Sequence, residues 1–141
     1  MVATAILWPT FALVILIFAV WTVLYVQRIG HIRRNPPRPE DFATGAAAMR
    51  YFEPVEMPAN NLRNLFEMPV LYFALVPLLL VTAQAGPVQV VLAWIYVVLR
   101  AAHSWIHIVP KQVQPRFFVF FASCVVLAAM WIGFAVNILS G

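Results

Sequence analysis

Apolar and polar positions alternate along this chain in long blocks. Apolar runs cover about residues 5–27, 58–82, 88–108 and 116–139, and polar connections separate them. Each run approaches or exceeds the roughly 20 residues that a helix needs to cross a bilayer. The pattern predicts an all-α membrane protein, a four-transmembrane-helix bundle formed by a single domain over residues 1–141.

Local signals set the expected ends of these helices. Pro9 falls near the first turn of the first helix, where a missing N–H costs little. Gln27, Arg28 and then Gly30 read as its stop. A polar loop follows, over about 29–57. Pro36, Pro37 and Pro39 make its start extended, and Ala46, Ala47 and Ala48 favour a short helix over about 43–51. Pro69 and Pro77 lie inside the second helix and should kink it, freeing backbone carbonyls. Ala85-Gly86-Pro87 is a tight, uncharged turn, which makes the second and third helices antiparallel neighbours. The connection before the fourth helix carries Lys111 and ends at Pro115.

Composition narrows the class. Hydrophobic residues make up 64% of the chain and charged residues 10%, too much apolar surface for a soluble domain of this size to hide. The first apolar run lacks a basic leader and a small-residue cleavage site, so it reads as a retained anchor. The net charge of +4 bears on orientation, since nothing resembles a nucleic-acid-binding module. Lys and Arg concentrate in the first loop and the third connection. The positive-inside rule therefore places both segments in the cytoplasm and both termini outside it, periplasmic in a bacterial inner membrane. The lone cysteine, Cys124, reads as a small packing residue.

Two polar faces interrupt the apolar runs. On the second helix Asn60, Arg63, Asn64 and Glu67 share one face, and on the third Tyr96, Arg100, His103 and His107 do. Lipid cannot solvate such faces, so they must look toward other helices or a polar ligand. Glu67 lies about nine residues, or roughly 13 Å, from the cytoplasmic start of its helix. Arg100 lies about ten residues, or roughly 15 Å, from the cytoplasmic end of its own. Equal depth on neighbouring helices predicts contact between them, direct or through a ligand. A purely structural pair would lock two helices together, but it would not need Arg63, Asn64, His103 and Arg116 nearby. That excess of cationic donors points to an anionic ligand. His103 and His107 have metal-ligand spacing, with Glu67 or His31 as third ligands, but no His-Glu-x-x-His motif accompanies them and no metal site is expected. The stripe Phe117, Phe118, Phe120 and Phe121 reads as packing or lipid contact.

At these residues the chain resembles the MAPEG family, the membrane-associated proteins of eicosanoid and glutathione metabolism. The family's Arg-Asn-x-x-Glu motif on its second helix is matched by Arg63-Asn64-Leu65-Phe66-Glu67. Its Arg-x-x-His-x-x-x-Tyr motif on the third helix is matched from Arg100 through His103 to His107, with His in place of the Tyr. Arg116 stands where a family Arg opens the fourth helix, and Arg28 where a basic residue ends the first. Leu62, Phe117 and Phe120 replace polar residues of better-known members, which marks a divergent, bacterial-type sequence.

The resemblance implies a homotrimer that binds glutathione between subunits near the cytoplasmic side. Arg28, Arg63, Asn64, Glu67, Arg100, His103 and His107 are then the expected glutathione-binding residues. Arg116 is the expected catalytic residue, a fixed cation that favours the thiolate. The function so implied is a glutathione-dependent transferase or peroxidase acting on an apolar electrophile from the membrane lipid. The alternative is a non-catalytic membrane protein of the same fold that binds a small anion or lipid, or regulates a partner.

Overall fold

A computed structural model describes residues 3–140 of the chain. Helices and short turns make up the fold, and there is no strand among the described residues. A 3-10 turn at Ala3–Ile6 leads into α1, Leu7–Arg34. The loop after α1 contains α2, Gly45–Phe52, flanked by 3-10 turns at Pro39–Phe42 and Glu53–Val55. Then come α3, Met57–Glu67, and α4, Pro69–Val81. Next are α5, Pro87–Ile108, and α6, Val113–Ser140. Among the described residues four helical stretches are long and apolar enough to cross a membrane, with α3 and α4 counting together as one of 25 residues, Met57–Val81.

α5 sits against α1, α3 and α6, so it is the central strut of the bundle. The apolar core gathers around Leu13, Tyr72, Leu75, Leu79, Ala93, Tyr96, Leu127 and Met130. Tyr72 and Tyr96 stack with their ring centres 5.2 Å apart and their planes at 11°. The Tyr72 hydroxyl is satisfied by Thr10, whose Oγ1 lies 3.0 Å away. Large apolar side chains also cover the outside: Trp8, Phe11, Ile15, Phe18, Val91, Val98, Phe118 and Ile132 are all exposed. Contiguous apolar surface of this extent belongs against lipid. The chain is an integral, multi-pass membrane protein.

The structure corrects the expected ends of two helices. α1 does not stop near Gln27 but continues through Gly30 to Arg34. The Arg34 Nε donates to the Gly30 carbonyl at 3.1 Å, so the segment's own side chain supports the last turn. The stop comes at Asn35, with φ −131° and ψ 78°, because the residue before a proline is kept out of the helical region and Pro36 follows. α6 begins at Val113, not at Arg116, which puts Pro115 in its first turn, where no N–H is required. The two tight turns use non-glycine residues with positive φ, Ala83 at 55° and Lys111 at 56°. α2 is capped by Thr44, whose hydroxyl accepts the Ala47 N–H at 3.1 Å.

The two prolines of the second span behave differently. Pro69 has no N–H to return to the carbonyl of Leu65, and the helix is interrupted at Met68. Pro77 lies inside α4, which continues through it.

Candidate functional site

One turn before the interruption at Met68, the Asn64 carbonyl meets α5. Arg100, fully buried, donates from Nη2 to the Asn64 carbonyl at 3.0 Å. Its guanidinium carbon lies 5.5 Å from the centre of the Phe120 ring, within cation–π reach. Nε and Nη1 of Arg100 are buried without a hydrogen-bond partner. A buried cation with one neutral acceptor and one aromatic face is under-compensated, and its free donors suit an anion.

Equal depth predicts contact between Arg100 and Glu67, direct or through a ligand, and no direct ion pair joins them among the described residues. The Asn64 carbonyl, on the near side of α3, takes the guanidinium instead, while Glu67 is exposed on the chain's surface. Arg63 is exposed as well, so the face that looked inward from its spacing presents both charges outward. The polar residue of α3 that does turn inward is Asn61. It is buried and accepts the Ser104 hydroxyl at 3.3 Å. Sequence reasoning passed over both members of this α3–α5 link. The signal was there in the second of two adjacent asparagines, which sits one helical position round from the face built on Asn60.

The histidines of α5 are also buried. His103 and His107 meet edge to face at 5.6 Å, and His103 lies 5.6 Å from the Phe120 ring. Nδ1 of each is buried without a partner. Phe120, expected to serve only packing or lipid contact, therefore forms a common wall for Arg100 and His103, whereas Phe117, Phe118 and Phe121 are exposed.

These elements meet at a cleft of about 330 Å³, lined by Asn64 and Glu67 of α3, His103 of α5, and Val113, Arg116, Phe117 and Phe120 of α6. The volume falls in the range of about 300–1,000 Å³ usual for small-molecule sites. Arg116, half-buried in the first turn of α6, brings the cation. Glu67 brings the carboxylate, and the Phe rings bring an apolar wall. Arg100 lies behind the cleft, touching it through Asn64 and Phe120, and His107 lies behind His103.

Arg28 and Arg63 do not line the cleft. Arg28 forms an ion pair with Glu56, Nη2 to Oε2 at 3.2 Å, and its guanidinium lies 4.7 Å over the Phe52 ring. Glu56, the partner of Arg28, was not anticipated. The available signal was an acidic residue just before the second span, level with the basic end of the first.

The sequence model described as the MAPEG family matches residues 6–136. No curated protein and no solved structure matches the chain.

Proposed function

The chain belongs to the MAPEG family, and from that premise we propose that it is a glutathione-dependent membrane transferase or peroxidase acting on an apolar electrophile drawn from the bilayer. One observation carries the reading: Glu67, His103 and Arg116 share a cleft with apolar walls, and a buried, under-compensated Arg100 stands behind it. Glutathione presents carboxylates, an ammonium group and a thiol. In this reading Glu67 accepts the ammonium, and Arg63, Arg100 and Arg28, none of which lines the cleft in the single chain, are the cations for the carboxylates. Asn64, His103 and His107 supply hydrogen bonds to the tripeptide.

Arg116 is the activating group in this proposal. Its guanidinium stays charged and cannot act as a base, so its contribution is electrostatic: it favours ionisation of the thiol and holds the thiolate. In the transferase reaction the thiolate forms a carbon–sulfur bond to the electrophile, and the leaving group departs with the electron pair. In the peroxidase reaction the thiolate attacks one oxygen of a hydroperoxide, the O–O bond breaks, and the departing alkoxide takes a proton. A second glutathione then converts the resulting sulfenic acid to the disulfide and water. The Val113, Phe117 and Phe120 side chains offer the apolar surface on which the electrophile would rest.

Assembly as a homotrimer belongs to the same proposal. Arg63 and Glu67 are exposed on a membrane-spanning helix, where lipid offers no partner for either charge. A neighbouring subunit that covers this face would solvate both and complete the site, and Arg28 would reach glutathione only after giving up Glu56 or from the edge of such an interface. The orientation proposed is the one the charges favour, with the Arg-rich loop cytoplasmic and both termini periplasmic.

A second reading rests on Phe117 and Phe120, which place no hydroxyl beside Arg116. It is a non-catalytic protein that holds a small anion in the same cleft. Ultraviolet absorbance of the purified, detergent-solubilised protein separates the two. A thiolate signal on adding glutathione, lost in Arg116→Ala, is the result expected of the enzyme. Glutathione binding with no thiolate signal in the wild type would sink the enzymatic reading and leave the anion-binding one.

A further inference from the structure

The opposite end of the bundle holds a second cleft, of about 440 Å³, where the turn into α5 faces the last turns of α6. Its lining includes the amides of Gln84, Gln89 and Asn137 and the apolar side chains of Leu92 and Val136, and Gly133 forms part of its floor. Gln89 and His103, which lines the first cleft, are about 21 Å apart along α5 at 1.5 Å per residue. This site is therefore separate from the one proposed for glutathione and does not depend on that proposal.

Gln89 is 5% exposed. Its Nε2 donates to the Met130 carbonyl at 3.0 Å, a link between α5 and α6. Its Oε1 has no hydrogen-bond partner. A buried amide oxygen without a donor is costly, and burying a glutamine for the Met130 contact alone would not call for the cleft beside it. A Cβ built at Gly133 would stand in ordinary contact with the Gln89 Nε2 at 3.5 Å, so a larger side chain there would extend into the cleft that Gly133 lines.

Charge decides what fits. Residues 82–99 and 117–140 contain no Asp, Glu, Lys, Arg or His. A phosphate or carboxylate entering here would meet no cation, and an ammonium would meet no carboxylate. Neutral amides both accept and donate, which suits a hydroxyl. Leu92 and Val136 offer the adjoining surface that takes an alkyl chain.

We propose that this cleft binds an uncharged, hydroxyl-headed, single-chain amphiphile from the bilayer, of the monoacylglycerol or long-chain alcohol type. The hydroxyl donates to the Gln89 Oε1 after a small rotation of the amide, Gln84 or Asn137 completes its hydrogen bonding, and the chain lies along α5 and α6 toward the lipid.

The test uses the full-length protein in phosphatidylcholine nanodiscs and a monoacylglycerol with a photoactivatable diazirine in its chain. Saturable labelling should map to the start of α5 and the end of α6. Unlabelled monoacylglycerol should compete, whereas a lysophosphatidate of the same chain length and a plain alkane should each compete at least about tenfold less well, or 1.4 kcal/mol. Gly133→Leu should reduce labelling by at least about tenfold. Val136→Trp adds bulk to the cleft from a residue that is 55% exposed, and it should do the same with unchanged helix content. Equal competition by the alkane overturns the proposal, as does labelling that Val136→Trp leaves intact. Absence of saturable labelling also overturns it, including the case where a second copy of the chain covers the cleft.

Discussion

α3 and α4 are two halves of one membrane span, and they are built for different tasks. α3 reads Met-Pro-Ala-Asn-Asn-Leu-Arg-Asn-Leu-Phe-Glu, while α4 from Pro69 to Val81 holds Tyr72 as its single hydrogen-bonding side chain. In α4 the inward residues Tyr72, Leu75, Val76 and Leu79 form core, with hydrogen bonds between Tyr72 and Thr10 and from the Trp131 Nε1 to the Leu71 carbonyl beside them. In α3 the buried Asn61 and the carbonyl of Asn64 each take a polar group from α5, while Arg63 and Glu67 stay on the surface. Pro69 marks the boundary. The comparison teaches that the apolar half packs its inward face into the core of its own chain, whereas the polar half also leaves two charges on the surface.

The largest effect that would sharpen this contrast is expected at Arg116. If its guanidinium holds the thiolate, Arg116→Ala should lower turnover by about 10²–10³-fold, the usual result of removing one charge-stabilising donor. Arg116→Lys should recover part of that loss, because a point charge remains without the planar geometry. Steady-state kinetics on protein of unchanged oligomeric mass would show it, and full activity in the Ala variant would remove Arg116 from the mechanism.

Arg100 comes next. Arg100→Met keeps much of the volume and deletes the charge, so the loss should fall on binding more than on folding. A hydrogen bond from a charged group contributes about 1.5–3 kcal/mol, which corresponds to roughly 10–150-fold weaker glutathione binding by calorimetry. A variant that unfolds but, once rescued in lipid, still binds glutathione at full strength would break the contrast, by making Arg100 part of the scaffold.

The apolar half should respond in the opposite way. Tyr72→Phe removes the hydroxyl that meets Thr10 and keeps the ring stacked on Tyr96. It should cost about 1 kcal/mol of stability, measured as a lower midpoint of thermal unfolding in detergent, with glutathione affinity unchanged. The smallest effect is expected from Glu56→Gln. The Arg28–Glu56 pair has side-chain exposures of 30% and 23%, so its loss should change stability by no more than about 1 kcal/mol, with a difference that shrinks as salt is added.

Much of the bundle was legible because membrane spans leave long apolar runs that no other structure explains. The short helix α2 was readable from its alanines. The end of α1 was misread because Gly30 was taken as a stop. Inside a span that already has 3.6-residue periodicity a glycine costs only about 1 kcal/mol, and the firm stop is the proline-linked Asn35. In the cleft, the motif residues Asn64, Glu67, His103 and Arg116 do come together. The partner of Arg100 was not readable, because a backbone carbonyl has no signature in sequence. Depth along two helices brought Glu67 and Arg100 level, but it could not tell which way round α3 faces, and a rotation by one residue exchanges Asn60 for Asn61.

The buried Arg100 also constrains how the protein is made. An arginine near the middle of a helix adds about 2.5–3.5 kcal/mol to the free energy of leaving the translocation channel for lipid. Asn64, whose carbonyl receives it, lies 36 residues earlier in the chain. At about 5–20 residues per second that acceptor is synthesised roughly 2–7 s before Arg100 emerges. α5 is therefore expected to linger at the channel until it can leave as a hairpin with the preceding span. A ribosome pause placed within the α4–α5 turn should change the yield of inserted protein far more than one placed after α6 has begun.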